Sequence, residues 1–463
     1  MKHSTSIPSA PQEMRTTRPC LFGAEFPAGR ATLLLNLGSP DSPSVPDVRD
    51  YLHTFLMDRR IIGISYPLRY FLVHHLIVPR RAPKSAANYR TIWDADAQNF
   101  PLISHSASIA QQLAELRREP VAVGMRYGHP GTGEALEALA ALPDIEEVVI
   151  VPLYPHYARS SYETAVAFAL EEIRRLGLRP MRLRLQAPFY GETAYRTALA
   201  DSVREHPTEP FDRLVISMHG VPLSHIPKAC REHNGHSTHC ADRRTWHERH
   251  GEEDCYRLQC EETRRYLAED LGLEPERVEL VYQSRLGFHD WLQPYMARRV
   301  KEFAREGAER IAVVCPGFVC DCLETIQEIN DEGRADFLEA GGKSFTYIPC
   351  LNSSTAFVTA LSTLLDKTIA EPSALLSAEN QRKSKSEPTH PTLYEEANRW
   401  DRIATPRPQP PHWGHGTEQS TRPSPSRPYT RPDRVAGAGD LRLRALWPQH
   451  LQRPRVGLWQ HPR

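Results

Sequence analysis

The chain has 463 residues, 40% of them hydrophobic and 25% charged, enough for two domains with cores of their own. Its 57 basic and 57 acidic side chains cancel, so no global charge draws it to nucleic acid. No apolar run approaches the roughly 20 residues of a membrane span, and nine cysteines in what reads as a reducing, cytosolic protein point to metal ligands or free thiols before disulfides.

Residues 1–29 read as a flexible leader, polar through Arg18 and without the apolar core of a secretory signal. From Ala31 onward, short β-rich runs alternate with amphipathic stretches. Strands are expected at 31–37, 120–126, 146–153, 181–187, 212–218, 278–283, 311–315 and 344–351, and helices at 106–117, 133–141, 162–176, 192–205 and 292–306. Nearly all-apolar strands separated by helices imply an α/β chain whose parallel sheets are covered on both faces. Strands over about 340 residues suggest two tandem doubly wound, Rossmann-like domains, 30–190 and 191–368, the second with a Cys/His-rich insertion at 225–262. Gly38-Ser-Pro and Gly124-Met-Arg lack the repeated glycines of a dinucleotide or P-loop turn, which disfavours a nucleotide enzyme. The stretch 369–463 is rich in Pro, Arg, Ser, Gln and His and reads as a disordered, low-complexity C-terminal tail. A functional basic tail and a segment under no selection for folding fit it equally.

Chemistry concentrates at strand ends. Pro316-Gly-Phe-Val-Cys-Asp-Cys-Leu-Glu-Thr-Ile-Gln-Glu-Ile-Asn330 follows an apolar run and opens a helix. Asp321, Glu324 and Glu328 stand at helical spacing, a row of like charges that suggests a path for cations or protons. A solvated acidic face is the plainer reading, less favoured at the carboxyl end of a strand. Leu214-Val-Ile-Ser-Met-His-Gly-Val-Pro222 delivers His219 to another strand end, as base or metal ligand, against the plainer reading of a histidine capped by backbone. Arg126 and Tyr127 end one strand, and Tyr157, Arg159 and neighbouring hydroxyls end another. Such clusters hold carboxylated ligands or are ordinary turn chemistry. Trp291 faces a large flat ligand or is a buried structural residue.

Cys230, Cys240, Cys255 and Cys260 fall in a segment poor in apolar residues and dense in histidine, from His225 to His250. A metal centre would supply the stabilisation that burial cannot. The spacing Cys-x9-Cys-x14-Cys-x4-Cys lacks the close pairs of a zinc ribbon. Four thiolates at loose spacing suit an iron–sulfur cluster, ranked above zinc, and both above unrelated thiols.

With these motifs assembled, the chain resembles the ferrochelatases, lyases that insert ferrous iron into a porphyrin. The likeness runs from about Ala31 to Leu365 through Leu33-Leu-Leu-Asn-Leu-Gly-Ser-Pro-Asp41, Pro79-Arg-Arg-Ala-Pro-Lys84, Asn88-Tyr-Arg90, Gly124-Met-Arg-Tyr-Gly-His-Pro130, Tyr154-Pro-His-Tyr157, Ser217-Met-His-Gly-Val-Pro222, Tyr282-Gln-Ser-Arg285 and Pro316-Gly-Phe-Val-Cys-Asp-Cys-Leu-Glu-Thr325. The resemblance implies a chelatase fold with the porphyrin in the cleft between domains. It implies a protoporphyrin ferrochelatase that makes protohaem, releasing two protons, as the last step of haem biosynthesis. His219 then matches the family's essential histidine and Glu324 its partner carboxylate, both meeting the substrate iron, with Asp321 and Glu328 at the positions of a proton or metal conduit. Arg126, Tyr127, Tyr157, Trp291 and Leu37 fall near the macrocycle. Leucine at 37, where users of coproporphyrin tend to have tyrosine, favours protoporphyrin IX. Cys322 stands where some relatives have histidine. The chain further resembles the bacterial subgroup that carries a [2Fe-2S] cluster on an internal four-cysteine segment, which makes Cys230, Cys240, Cys255 and Cys260 its ligands, with zinc the alternative occupant. A cytoplasmic protein in peripheral contact with the membrane where the porphyrin dissolves completes what the likeness implies. A chelatase for coproporphyrin or another tetrapyrrole and metal, and a porphyrin carrier without turnover, are the competing readings. A carrier has no need of an acidic path.

Overall fold

Runs of Val, Ile and Leu, branched or bulky and alternating between two covered faces, form the strands. In a computed structural model that describes residues 20–27, 29–178, 181–206, 209–226, 255–284, 290–372 and 376, these are β1 (Leu21–Phe22), β2 (Arg30–Asn36), β3 (Val121–Met125), β4 (Glu147–Pro152), β5 (Arg182–Leu185), β6 (Arg213–His219), β7 (Val278–Gln283), β8 (Arg310–Val314) and β9 (Ser344–Ile348). One sheet runs β1-β3-β2-β4-β5 and the other β7-β6-β8-β9. All pairings are parallel except β1 against β3.

Successive residues of β2 serve different cores. Leu34 packs with Val123, Val149 and the helix Pro101–Arg117, while Leu33 and Leu35 face Ala122, Ile150 and the helices Thr132–Ala140 and Thr164–Leu176. The first of these cores continues without a break to Ile216, Met218 and Val314 of the second sheet, joined by the helices Thr193–Glu205, Tyr256–Leu271 and Thr355–Ala370. The opposite face of the second sheet, through Val215, Val313 and Phe345, is covered by Met296–Arg305 and by the segment that ends in Arg334–Glu339. The helix ends follow local chemistry. Ser44 and Ser354 accept the N–H groups of Asp47 and Phe357, and Gly177 and Gly272 close helices with left-handed backbone.

The helix Val45–Leu56 and the run from Tyr66 to Thr91 form a smaller layer beyond the first sheet. That run passes from α (Tyr66–Tyr70) through a π segment (Phe71–Ile77) back to α (Val78–Thr91). No helix was expected over this run, which contains Pro67, Pro79 and Pro83. Pro67 stands in the first turn, where its missing N–H costs nothing, and the wider π winding ends just before Pro79, whose ring would crowd the carbonyl four residues back, while Pro83 lies inside the last α segment. The leader up to Pro19, Cys230, Cys240 and most of the expected tail lie outside the described residues.

Candidate active site

In each sheet the first long strand is internal and its successors lie on opposite sides: β3 and β4 flank β2, and β7 and β8 flank β6. A crevice opens at the carboxyl ends where strand order reverses, between β2 and β4 and between β6 and β8. His219 ends β6, and Pro316 to Glu324 follow β8.

The His219 ring is half-buried and its Nδ1 lies 2.7 Å from the Gly220 carbonyl oxygen. A carbonyl only accepts, so Nδ1 carries the proton and, in the neutral ring, Nε2 holds the free lone pair. Gly220 is glycine for a steric reason: a Cβ there would sit 2.9 Å from the carbonyl oxygens of both Gln283 and Ser284. The Gly220 N–H donates to the Gln283 carbonyl at 2.7 Å. On the far side of that peptide, the Ser284 N–H donates to Glu328 Oε1 at 2.9 Å and the Ser284 hydroxyl to Oε2 at 2.7 Å. The Gln283 side chain donates to the Glu324 carbonyl at 3.2 Å and accepts the Ser217 hydroxyl at 2.8 Å.

Glu324 and Glu328 lie on a π-helix, Glu324–Gly333, whose wide winding keeps residues four apart near one face. Burial pushes the Glu328 carboxyl above the usual carboxylate range, and the charge of Glu324 adds to that push, while the Ser284 donors and His219 pull it back. The Cys322 thiol is pushed well up by burial and then by the neighbouring Glu324 charge.

The expected row of three carboxylates is a pair in the structure. Asp321 precedes the helix, and its carboxylate accepts from Thr325 (3.0 Å), Tyr347 (2.5 Å) and Asn352 (2.7 Å). It anchors the turn between β8 and the π-helix to the end of β9, with Asn352 returning a contact to the Asp321 N–H at 2.8 Å.

Across the crevice, at the end of the first sheet, polar groups close on one another. Arg126 donates to Asp58 at 2.6 Å and to Thr164 at 3.1 Å, and stacks between the rings of Tyr127 and Phe168. Tyr127 and Thr164 donate to the same Asp58 oxygen, at 2.8 and 2.6 Å. Burial alone would raise the Asp58 carboxyl, but Arg126, Thr164, the Arg60 N–H and Tyr127 together hold it below the usual range. The anion that Arg126 grips is therefore Asp58. Leu37 packs on an aromatic layer of Tyr51, Tyr89, Phe100 and Tyr127, to which Leu323 and Ile326 of the opposite side also reach. Tyr51 and Tyr89 are pushed far above the phenol range by burial, with the Glu324 charge contributing. The Tyr157 hydroxyl donates to Glu163 at 2.6 Å and its N–H to Gln259 at 2.7 Å. Trp291 is buried, paired through its backbone with Pro222 behind Gly220.

Of the four candidate cluster cysteines, Cys255 and Cys260 are described. Both are fully buried, Cys255 as the N-cap of the helix Tyr256–Leu271 and Cys260 inside it. Among the described residues no three His, Cys, Asp or Glu side chains converge as a metal site. Asp58, Gln283 and Ser284 were not singled out from sequence. Ser284 stood unassigned within the Tyr-Gln-Ser-Arg motif, and Asp58 within the charged triplet Asp58-Arg-Arg60.

Comparison with known proteins gives the family. A family model described as "Ferrochelatase" matches residues 29–369. The ferrochelatase of Porphyromonas gingivalis is 45% identical over 347 residues, 73% of this chain and 96% of the relative. That of Opitutus terrae is 42% identical over 336 residues, 71% of this chain and 94% of the relative. Among solved structures, SirB from Bacillus subtilis with Fe3+ superposes with a TM-score of 0.42 at 12% identity, covering 74% of this chain and 96% of that one. With the family match spanning β2 to β9 and every strand-end motif described above, the chain belongs to the ferrochelatase family.

Proposed function

We propose that the chain carries out its family's reaction, insertion of ferrous iron into protoporphyrin in haem synthesis, in the crevice at the end of β6 and β8. His219 Nε2 accepts a pyrrole proton or meets the incoming iron on one face of the macrocycle. Glu324, backed by Glu328, handles cations on the other. Asp321 serves the same path by holding the start of the π-helix. Leu37 and Tyr157 meet the porphyrin, and Arg126, Tyr127 and Trp291 shape the wall behind it. In this reading the two sheets are the two domains of the enzyme, meeting near residue 190. The single observation that carries it is the Gln283–Ser284 peptide, bonded on one side to the strand of the histidine and on the other to the carboxylate helix. Anaerobic incubation with Fe2+ and protoporphyrin tests it: the spectrum should change to that of haem, faster than with coproporphyrin or Co2+. Porphyrin binding without metallation would favour a carrier.

A [2Fe-2S] cluster on Cys230, Cys240, Cys255 and Cys260 is the second part of the proposal. The burial of Cys255 and Cys260 at one helix start suits a cluster shielded from solvent. No redox step is needed for iron insertion, so the cluster is structural or regulatory. Purified protein should show visible cluster absorption that is lost in Cys260→Ser; colourless protein with bound zinc would reject it. Peripheral membrane contact from the cytoplasm is the third part. No described helix is long and apolar enough to cross a bilayer, whereas Tyr66, Leu68, Tyr70, Phe71 and Leu76 are exposed together on one helix.

A further inference from the structure

We propose that Ser284 is a positioning residue for iron insertion, fixing the Glu328 carboxylate through two donors at the end of β7. Three observations carry this. Ser284 is a non-glycine residue in the left-handed region, at φ 59°, where serine has no intrinsic reason to be. That backbone turns its N–H and its hydroxyl onto the two oxygens of one carboxylate, at 2.9 and 2.7 Å. The same peptide receives the Gly220 N–H on its carbonyl at 2.7 Å. A negative charge at Glu328 polarises that peptide and strengthens the grip on the residue next to His219, so carboxylate and imidazole are held in one hydrogen-bonded frame. A serine that merely capped a helix would bond to the helix backbone; this one bonds to a side chain that no other described donor holds as a pair.

The inference rests on the reading of Glu328 as part of the cation path, and its test separates the two. Ser284→Gly keeps the N–H, removes the hydroxyl and suits the positive φ, so it should not lower the unfolding midpoint. Losing one charge-assisted bond should reduce kcat/KM for Fe2+ by about 10-fold, with KM for protoporphyrin unchanged. In a Glu328→Ala background, or Glu328→Gln where alanine does not fold, the same glycine change should cost less than about 2-fold. Equal losses in both backgrounds, no loss in the native background, or a loss that follows a lowered midpoint would overturn the role of Ser284. Native kcat/KM for iron in Glu328→Ala would overturn the reading of Glu328 itself, and with it this inference.

Discussion

The two sheets share a strand order but end in opposite electrostatics. At the carboxyl end of the first, Asp58, Arg126, Tyr127 and Thr164 satisfy one another, and the Asp58 carboxyl is held below its usual range. At the end of the second, His219 keeps a ring nitrogen with no partner among the described residues, and Glu328 is held above its usual range by burial and by Glu324. Topology decides where chemistry can occur, because strand reversal opens a crevice in both halves. In the proposed reading, the end that reacts is the one whose groups are not all paired. One end is a wall of mutually satisfied charges; at the other, in this reading, the imidazole and the Glu324–Glu328 pair gain by meeting a proton or a cation.

The comparison breaks most sharply at His219. His219→Ala should reduce turnover by about a thousandfold while porphyrin binding, read by fluorescence quenching, stays near native. Native-like turnover would make the two ends chemically equivalent. The first sheet should answer in stability instead. Asp58→Asn leaves the half-buried Arg126 without its counter-charge and should cost about 3 kcal/mol in urea unfolding. The sign with pH follows from the lowered carboxyl. Its contribution is complete above the unfolded value of about 3.9 and is lost as pH falls through the lower folded value. The gap between native and variant should therefore be flat from about pH 7 to 5 and close in acid. Glu324→Gln comes next, with about a hundredfold loss of kcat and little change in unfolding. Because the Glu324 charge helps to raise Glu328, its removal should move any acidic limb that belongs to Glu328 toward lower pH.

Much of this was legible in the sequence, and the rest was hidden for identifiable reasons. The central strands β2, β3, β4, β6 and β8 announce themselves because each is a run of buried apolar side chains, and His219 is found because it ends one just before a glycine. Asp321 misled because helical spacing presumes that the helix has begun; the π-helix starts at Glu324, and Tyr347 and Asn352 claim the carboxylate from elsewhere in the chain. The Asp58–Arg126 pair spans 68 residues, and no local pattern reports such a partner. The left-handed backbone of Ser284 is invisible because serine gives no conformational signal of the kind glycine does. The helix Tyr256–Leu271 was missed because its first turns carry Arg257, Gln259, Glu261 and Glu262, polar residues that are nonetheless buried by their surroundings.

The smallest effect should come from the layer beyond the wall. Tyr66 and Phe71 are 55% and 53% exposed, on a helix whose Arg69 is buried and donates to the Ile62 and Ile64 carbonyls at 3.1 and 3.0 Å. That arginine fixes the loop beneath and presents the aromatic side outward as a rigid surface, with Arg80 and Arg81 exposed farther along. Replacing both aromatics by serine removes no core contact, so stability should change by less than about 0.5 kcal/mol, and turnover of detergent-dispersed porphyrin should be native. Sedimentation with anionic vesicles should fall by about tenfold or more, since each buried aromatic ring contributes on the order of 1–2 kcal/mol to partition. Equal sedimentation of native and doubly substituted protein would assign the exposed aromatics no part in membrane contact.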